Sequence, residues 1–387
     1  MHNKLSLVQL GLLLFLLVGC SKSSLAPVSH SVQYFDNGLA KTPAMGWSSW
    51  FGFQAHIDEN TVKSIADYIA ASGLKDAGYQ YVNIDDGWEL PQRKDGHLQA
   101  DPAKFPGGIK ALADYVHARG LKLGVYSSVG DQTCLHNAGS YGHEQTDAQD
   151  FADWGVDYLK FDYCQYSGSN VVLDFQRMGA CLMNTGRPIV YSIVLGFYAD
   201  WAASCGNSWR TYADYGGSWS QMEDVINHNE LGAAAQRPGN WNDPDNIHPG
   251  LGTLTLLEEQ TELSLWAVSA APLIMGNDPR KLNTAQLALL TNPEVLAIDQ
   301  DALGIQGTLV WKDQTGHLKL YVKKLADGSV ACLLVNFNDD SRSATLSLAY
   351  HHVRDVWQRT DLNVPFKTSM AFSIPAHGVL FLKCSQN

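Results

Sequence analysis

Charged residues are scarce in this chain of 387 residues, because Asp, Glu, Lys and Arg together make up only 17% of it. Runs of Lys or Arg are missing, and the formal net charge is -12. A protein that binds nucleic acid or an anionic membrane surface needs basic side chains to neutralise phosphates. The composition therefore argues against both partners, and a neutral substrate fits it better.

Metal-binding motifs are missing as well. The seven cysteines include no pair with CxxC spacing, and neither an HExxH motif nor a His/Cys cluster occurs. We therefore expect no metal site. The sequence also lacks internal repeats and low-complexity segments, and 45% of its residues are hydrophobic, which disfavours a disordered chain.

The N-terminus has the features of an export signal. A short, mildly basic start is followed by an almost wholly apolar run from Leu5 to Val18, which is too short to span a membrane stably. The ending LVGC resembles the lipobox of bacterial lipoproteins, which predicts a signal peptide over residues 1–19 and a lipid anchor on Cys20. An ordinary cleaved signal and a short membrane anchor are the alternatives.

The residues after the lipobox predict where the protein resides. Polar residues follow Cys20, so we expect residues 20–40 to be the lipidated start and a tether. Ser21 in particular resembles the signal for an outer-membrane destination. We therefore expect an exported lipoprotein that is anchored in the outer membrane, on the periplasmic side or at the cell surface.

Short apolar runs alternate with longer amphipathic stretches from residue 42 to about residue 305. Such repeated βα units predict a parallel sheet covered by helices. Asp, Trp or Tyr directly follows several of the runs, and a closed barrel gathers the carboxyl ends of all its strands into one active site. We therefore predict a (β/α)8 TIM barrel over residues 41–306, although any single polar residue could instead be a helix cap or turn former. The clearest predicted strands are residues 79–88, 121–130, 156–164, 187–194 and 271–278.

The pattern changes after about residue 307 to polar and apolar residues in alternation, interrupted by turn residues. Asp327 and Gly328 lie between two such runs and predict a hairpin turn. Alternation of this kind is typical of antiparallel sheets with one buried face. We predict a small C-terminal antiparallel β-sandwich domain over residues 307–387, with carbohydrate binding as an open possibility.

Carboxylates lie beside aromatic residues at several predicted strand ends. In NIDDGW, Asp85 and Asp86 stand close to Trp88. This combination suits a sugar, because hydroxyl groups donate to carboxylates and the apolar CH face packs on an indole. In WNDPDNI, Asp243 or Asp245 could bind sugar hydroxyls in the same way.

Two further strand ends carry a carboxylate with a cation. Cleavage of a glycosidic bond with retention needs two carboxyl groups about 5 to 5.5 Å apart, a nucleophile and a proton donor and acceptor. In YLKFDYC, Lys160 and Asp162 share one strand face, which favours an ionised nucleophile, although a structural ion pair is equally compatible with the spacing. In WRTYADYGGSW, Arg210 and Asp214 provide a second carboxylate for the acid and base role.

Taken together, the motifs resemble glycoside hydrolase family 27, the α-galactosidase and α-N-acetylgalactosaminidase family, here in a bacterial lipoprotein member. The resemblance extends in order over about residues 41–310. It implies a retaining double displacement with Asp162 as the nucleophile and Asp214 as the acid/base, and it implies no metal and no cofactor. The motifs that carry it are TPAMGWSSW, NIDDGW, LQADPAKFPGGIKALADYVHARGLKLGVYSS, DAQDFADWGVDYLKFDYC, GNWNDPD, LSLWAVSAAPLIMGND and IDQDALGIQG. The substrate-binding residues that it implies are Trp50, Asp85, Asp86, Tyr126, Lys160, Arg210 and Asp245.

The resemblance also implies a disulfide between Cys134 and Cys164 at the rim of the active site. It leaves Cys181, Cys205, Cys332 and Cys384 without an assigned partner.

The sequence departs from the family after the fifth predicted strand, in YSIVLGFY. Galactose-specific members resemble CEW there, with a Glu and a bulky neighbour around the sugar 2-hydroxyl, and members that take N-acetylgalactosamine have smaller residues. This chain has Val194 at the Glu position, which accepts no hydrogen bond, and Phe197 at the bulky position, which leaves little space for an acetamido group.

We therefore expect an exo-acting α-galactosidase that acts on oligosaccharides, polysaccharides or glycoconjugates. An α-N-acetylgalactosaminidase or a β-L-arabinopyranosidase is the alternative within the family. A lipoprotein that binds carbohydrate without cleaving it is the alternative outside it.

Overall fold

The computed structural model describes residues 33–366 and 368–386. The predicted signal peptide, Cys20 and most of the predicted tether lie outside the described residues. Within the described part of the chain, no helix has both the length and the apolar character needed to cross a membrane.

Parallel strands form the N-terminal sheet, in the order β7-β6-β5-β4-β3-β2-β1-β8. Beyond β7, Ile247 makes a parallel bridge to Met275 in β8, and its N–H donates to the carbonyl of Ile274 at 2.8 Å. This bridge brings the two ends of the sheet together, so the predicted TIM-like barrel is confirmed. The strands are β1 (Met45–Ser48), β2 (Tyr81–Asn83), β3 (Lys122–Ser128), β4 (Tyr158–Asp162), β5 (Val190–Ile193), β6 (Ser208–Arg210), β7 (Trp241–Asp243) and β8 (Leu273–Met275).

Helices connect most of these strands, and local sequence explains where several of them begin. The side chain of Asp58 accepts from the N–H of Thr61 at 2.7 Å, and Thr255 forms a capping box with Glu258. The helices are α1 (Trp50–Phe53), α2 (Glu59–Ala71), α3 (Gly108–His117), α4 (Glu144–Trp154), α5 (Val171–Asn184), α6 (Trp219–Leu231), α7 (Leu256–Ser269), α8 (Thr284–Leu290) and α9 (Pro293–Asp299).

The link from β5 to β6 departs from the regular βα pattern. Its helical content among the described residues is a single 3-10 turn at Ala202–Ser204. Val194 and Phe197, the residues that differ from the family pattern, lie in this link. The irregular backbone therefore occurs where the chain is expected to contact the 2-position of the sugar.

The C-terminal part of the chain is an antiparallel β domain, as predicted. One sheet has the order β14-β13-β16-β11-β10-β9, and β12 pairs with β15. Gly328, with φ of 82°, turns the chain between β10 and β11 as the sequence predicts. The strands are β9 (Thr308–Lys312), β10 (Leu318–Lys324), β11 (Val330–Asn336), β12 (Arg342–Leu348), β13 (His352–Asp355), β14 (Thr360–Asp361), β15 (Thr368–Ile374) and β16 (Val379–Ser385).

The buried hydrophobic residues of the described chain include two clusters, and one of them extends from the barrel into the C-terminal domain. Leu334 and Leu346 belong to a cluster within the C-terminal domain, whereas Leu333 and Phe381 belong to the same cluster as the barrel core. Lys323 reinforces this contact, because its ammonium donates to the carbonyls of Ala267 and Ile298 on the barrel side. The C-terminal domain is therefore packed on the barrel through a continuous apolar core.

Candidate active site

The side chains that the sequence singled out lie at or just beyond the carboxyl ends of the barrel strands. Asp162 ends β4, Arg210 ends β6 and Asp243 ends β7. Asp85 follows β2 by two residues, and Val194 directly follows β5. Because all these strands run in parallel, their ends meet at one face of the barrel.

A cavity of about 440 Å³ opens at this face. Both predicted catalytic carboxylates and all but two of the predicted substrate-binding residues line it. Those residues are Trp50, Asp85, Asp86, Tyr126, Lys160, Asp162, Arg210, Asp214 and Asp245.

Asp162 is half-buried at the end of β4 and accepts two hydrogen bonds. The N–H of Tyr163 donates to Oδ1 at 2.7 Å, and the hydroxyl of Tyr126 donates to Oδ2 at 2.9 Å. Burial raises the pKa of Asp162, and the charge of Lys160 and these two hydrogen bonds oppose the rise, which leaves the pKa above its ordinary value. The carboxylate is thus held in place while its charge is only partly compensated.

Lys160 forms its ion pair with a residue that follows β2, two strands away in the sheet, and not with a residue of its own strand. Its ammonium lies 2.8 Å from Oδ2 of Asp85, which also accepts from the hydroxyl of Ser48 at 3.2 Å. Burial lowers the pKa of Lys160, but the carboxylates of Asp85 and Asp162 raise it more, so it lies above its ordinary value. Lys160 thus acts on Asp162 through its charge, and the ion pair that it forms is with Asp85, so the alternative of a structural ion pair between Lys160 and Asp162 is not what the structure shows.

Arg210 connects two more carboxylates of the cavity. Its Nη2 lies 2.7 Å from Oδ2 of Asp245 and 3.2 Å from Oδ1 of Asp214. The Arg210 and Asp245 side chains are almost fully buried, whereas the side chain of Asp214 is 79% exposed. Asp214 is therefore held at the mouth of the cavity, where it is open to solvent.

Asp245 has an unusual backbone conformation, with φ of 99°. Conformations of this kind cost about 1–3 kcal/mol for a residue with a side chain and persist where surrounding contacts impose them. Its N–H donates to Oδ1 of Asp243 at 2.8 Å, and its Oδ2 accepts from the N–H of Tyr215 at 2.9 Å. The WNDPD segment is thus folded back on itself so that the Asp245 carboxylate points to Arg210.

Asp86 and Trp88 occupy different environments. Asp86 is buried and its Oδ2 accepts from the N–H of Leu135 at 2.8 Å. Trp88 is fully buried, donates to the carbonyl of Tyr126 and packs edge-on against Trp154. The expectation that Trp88 offers a face to sugar is therefore wrong, because the indole is part of the barrel core.

The two residues that depart from the family pattern do not line this cavity. Val194 is buried and lines a second cavity of about 410 Å³, together with Ser192, Lys160 and Arg210. Phe197 is 48% exposed and lines neither of these two cavities. The structure thus brings Val194 next to the site residues, and it does not bring Phe197 there.

Cys134 and Cys164 are joined in a disulfide, with their Cα atoms 5.1 Å apart. This is the pair that the family resemblance implied. The two sulfurs and the Asp162 carboxylate lie within 4.8 Å of one another, which is close enough for metal ligands. A metal needs thiolates, however, and the disulfide leaves none in this group.

A buried network behind the cavity is absent from the residues that were predicted from the sequence. Glu262 in α7 accepts from the N–H of His248 at 2.8 Å, and its other oxygen lies 3.1 Å from Nδ1 of the same histidine. Both side chains are fully buried, and the His248 ring is 5.0 Å from that of Tyr215, the residue after Asp214. No spacing along the chain indicates this contact. Phe51, which lines the main cavity beside Trp50, was also missed.

Comparison with known proteins gives the chain its family. The family model described as alpha galactosidase A matches residues 42–301, and the model described as the alpha galactosidase C-terminal beta sandwich domain matches residues 315–384. Alpha-galactosidase A from Cellvibrio japonicus is 39% identical over 405 residues, which cover 96% of this chain and 98% of that protein.

Two solved structures extend this similarity. Alpha-galactosidase I from Mortierella vinacea superposes with a TM-score of 0.85 at 33% identity, over 90% of this chain and 98% of that chain. A family 27 β-L-arabinopyranosidase from Geobacillus stearothermophilus superposes with a TM-score of 0.81 at 25% identity, over 89% of this chain and 97% of that chain. The protein therefore belongs to the α-galactosidase family of glycoside hydrolases, family 27.

Proposed function

We propose that the protein releases terminal α-linked galactose from oligosaccharides, polysaccharides or glycoconjugates, with retention of anomeric configuration. The observation that supports this most directly is the shared cavity, in which the carboxylates of Asp162 and Asp214 face one space together with Lys160 and Arg210. Two carboxylates beside one sugar site are what retaining hydrolysis requires.

In the proposed first step, Asp162 attacks the anomeric carbon while Asp214 gives its proton to the glycosidic oxygen, so the aglycone leaves as an alcohol. In the second step, Asp214 takes a proton from water, the oxygen of that water attacks the anomeric carbon, and the bond to Asp162 breaks. The exposure of Asp214 suits both steps, because leaving group and water enter from the mouth of the cavity.

The surroundings of Asp162 support the role of nucleophile. Burial makes the anion less stable than in water, and a less stabilised anion is a stronger nucleophile. The nearby Lys160 charge and the Tyr126 hydroxyl favour the ionised form and hold the carboxylate in one orientation.

The alternatives differ at the sugar 2-position and 6-position. Val194 accepts no hydrogen bond from a 2-hydroxyl, which removes about 0.5–1.5 kcal/mol of binding. The family also contains the Geobacillus β-L-arabinopyranosidase, so a pentose substrate is the second candidate. We place galactose first because Trp50 and Asp85 both line the cavity, where they suit a pocket for a 6-hydroxymethyl group.

Chromogenic α-galactoside, α-N-acetylgalactosaminide and β-L-arabinopyranoside, assayed side by side, test the choice of sugar. We expect the α-galactoside to have the highest kcat/KM, and dominance of either other substrate would overturn the proposal. Asp162→Asn should abolish turnover while galactose binding by calorimetry persists. Wild-type hydrolysis by this variant would refute the mechanism, and binding without turnover in the unaltered protein would indicate a non-catalytic carbohydrate-binding lipoprotein.

We also propose that Cys20 carries lipid and anchors the enzyme in the outer membrane. The LVGC ending of the apolar N-terminal run supports this. Cys20→Ser should move the enzyme activity from the membrane fraction to the soluble fraction. Activity that stays with the membrane in the same amount would contradict the anchor.

A further inference from the structure

Two large apolar side chains are exposed beside the candidate active site. Tyr163 is 42% exposed and Leu135 is 37% exposed. Each is the chain neighbour of one cysteine of the Cys134–Cys164 disulfide, which lies at the rim of the cavity. We call Tyr163 and Leu135 the rim pair. The disulfide keeps the backbones of the rim pair close together.

Hydrogen bonds also tie the rim pair to the carboxylates of the cavity. The N–H of Tyr163 donates to Oδ1 of Asp162 at 2.7 Å, and the N–H of Leu135 donates to Oδ2 of Asp86 at 2.8 Å. Their side chains therefore start from the edge of the cavity and extend into solvent.

Neighbouring aromatic rings support the Tyr163 ring although it is exposed. The ring of Tyr166 lies 5.5 Å from it at an angle of 41°. The hydroxyl of Tyr166 donates to Asp174 at 2.6 Å, and Tyr141 packs edge-on against Tyr166. An exposed ring with such support loses little conformational entropy when a ligand stacks on it.

We propose that the rim pair binds the first sugar of the aglycone, the pyranose to which the galactose is attached. A pyranose has an apolar CH face that packs on an aromatic ring, and a neutral sugar needs no charged partner. The rim pair is uncharged, and its backbone N–H groups donate to Asp162 and Asp86, which line the cavity that is proposed to hold galactose. This inference rests on the proposed function, and it specifies glycosidic oligosaccharides, with a sugar as leaving group, as the substrate class.

The test compares a leaving group that reaches the rim with one that does not. The substrates are α-galactosyl-(1,6)-glucose, whose glucose extends from the mouth, and α-galactosyl fluoride, whose leaving group is a single atom. Tyr163→Ala should lower kcat/KM for the disaccharide roughly tenfold and leave the fluoride unchanged. Tyr163→Phe, which keeps the ring, should behave like the unaltered enzyme on both substrates.

Trp311→Ala is the matched control, because Trp311 is an aromatic residue of similar exposure, 44%, on β9 of the C-terminal domain. It should alter neither rate. Unchanged disaccharide hydrolysis by Tyr163→Ala, or an equal loss on both substrates, would overturn the aglycone site. A selective loss in Trp311→Ala would also overturn it, since the contact would then lie on the C-terminal domain. If the unaltered enzyme cleaves neither substrate, the proposed function itself fails.

Discussion

The ammonium of Lys160 lies 2.8 Å from Oδ2 of Asp85. Lys160 belongs to β4, and Asp85 follows β2, which is two strands away in the sheet. The lysine also acts on Asp162, two residues further along its own strand, by lowering the pKa of that carboxyl against the effect of burial. One cation thus compensates the carboxylate of Asp85 directly and the proposed nucleophile through its field.

Removal of this cation should change the pH dependence of catalysis. The charge of Lys160 lowers the pKa of Asp162, so this pKa should be higher in Lys160→Met. Ionisation of the nucleophile then needs a higher pH. We expect the acid limb of the kcat/KM profile to shift to higher pH. Lys160→Arg keeps the charge and should retain the wild-type limb. An unshifted acid limb in Lys160→Met would show that Lys160 does not control the ionisation of Asp162.

The buried pair of Glu262 and His248 should position the acid/base segment. Glu262→Gln removes the charge that holds His248, which packs against Tyr215 next to Asp214. We expect kcat to fall about 10- to 100-fold for a disaccharide, whose poor leaving group needs protonation, and less for an activated aryl galactoside.

Glu294→Gln, which removes the carboxylate of an ion pair with Arg354, is the control for general destabilisation. It should leave the ratio of the two rates unchanged. If Glu262→Gln slows both substrates by the same factor, the network contributes to stability and not to proton transfer.

Asp243 should make the stability of the fold depend on pH. Burial raises the pKa of Asp243 to about 6, and the charge of Arg210 only partly offsets this. The folded state therefore holds this proton more tightly than the unfolded state, and its contribution to stability is lost as pH rises from about 4 to about 6. Between pH 4.5 and pH 7, Asp243→Asn should gain about 2 kcal/mol relative to the unaltered protein. Denaturant unfolding at the two pH values measures the difference, and an equal difference at both would refute the raised pKa.

Loss of the Cys134–Cys164 disulfide should destabilise the protein. The bond closes a loop with a sequence separation of 30 residues, which limits the unfolded chain and contributes about 3–4 kcal/mol in the loop-entropy model. The Cys134→Ser, Cys164→Ser double variant should unfold at lower denaturant concentration. Cys181→Ser, which changes a half-buried free thiol, serves as control. A double variant as stable as that control would contradict the prediction.

Local sequence patterns were sufficient for the architecture. Apolar runs of strand length alternate with amphipathic helices, and the change of period near residue 307 marks the start of the β domain just before β9. These patterns report which face of an element is buried, and burial is what organises the layers. The motif residues also lie at strand ends as predicted, because parallel strands place their carboxyl ends on one face of a barrel.

Those patterns did not predict which side chains contact one another. Spacing left an ion pair between Lys160 and Asp162 as one alternative and suggested that Trp88 offers its face to a sugar, but Lys160 pairs with Asp85 and Trp88 is fully buried. Spacing also gave no sign of the contact between Glu262 and His248.

Periodicity and strand direction are properties of single elements, so the residue pattern was enough to predict the barrel, the β domain and a shared face for the two proposed catalytic carboxylates. The tertiary structure decided which charges pair, that Val194 adjoins the site while Phe197 is exposed, and that Tyr163 extends from the rim. Such contacts depend on the register between strands, and this register is not encoded in the spacing of residues along one element.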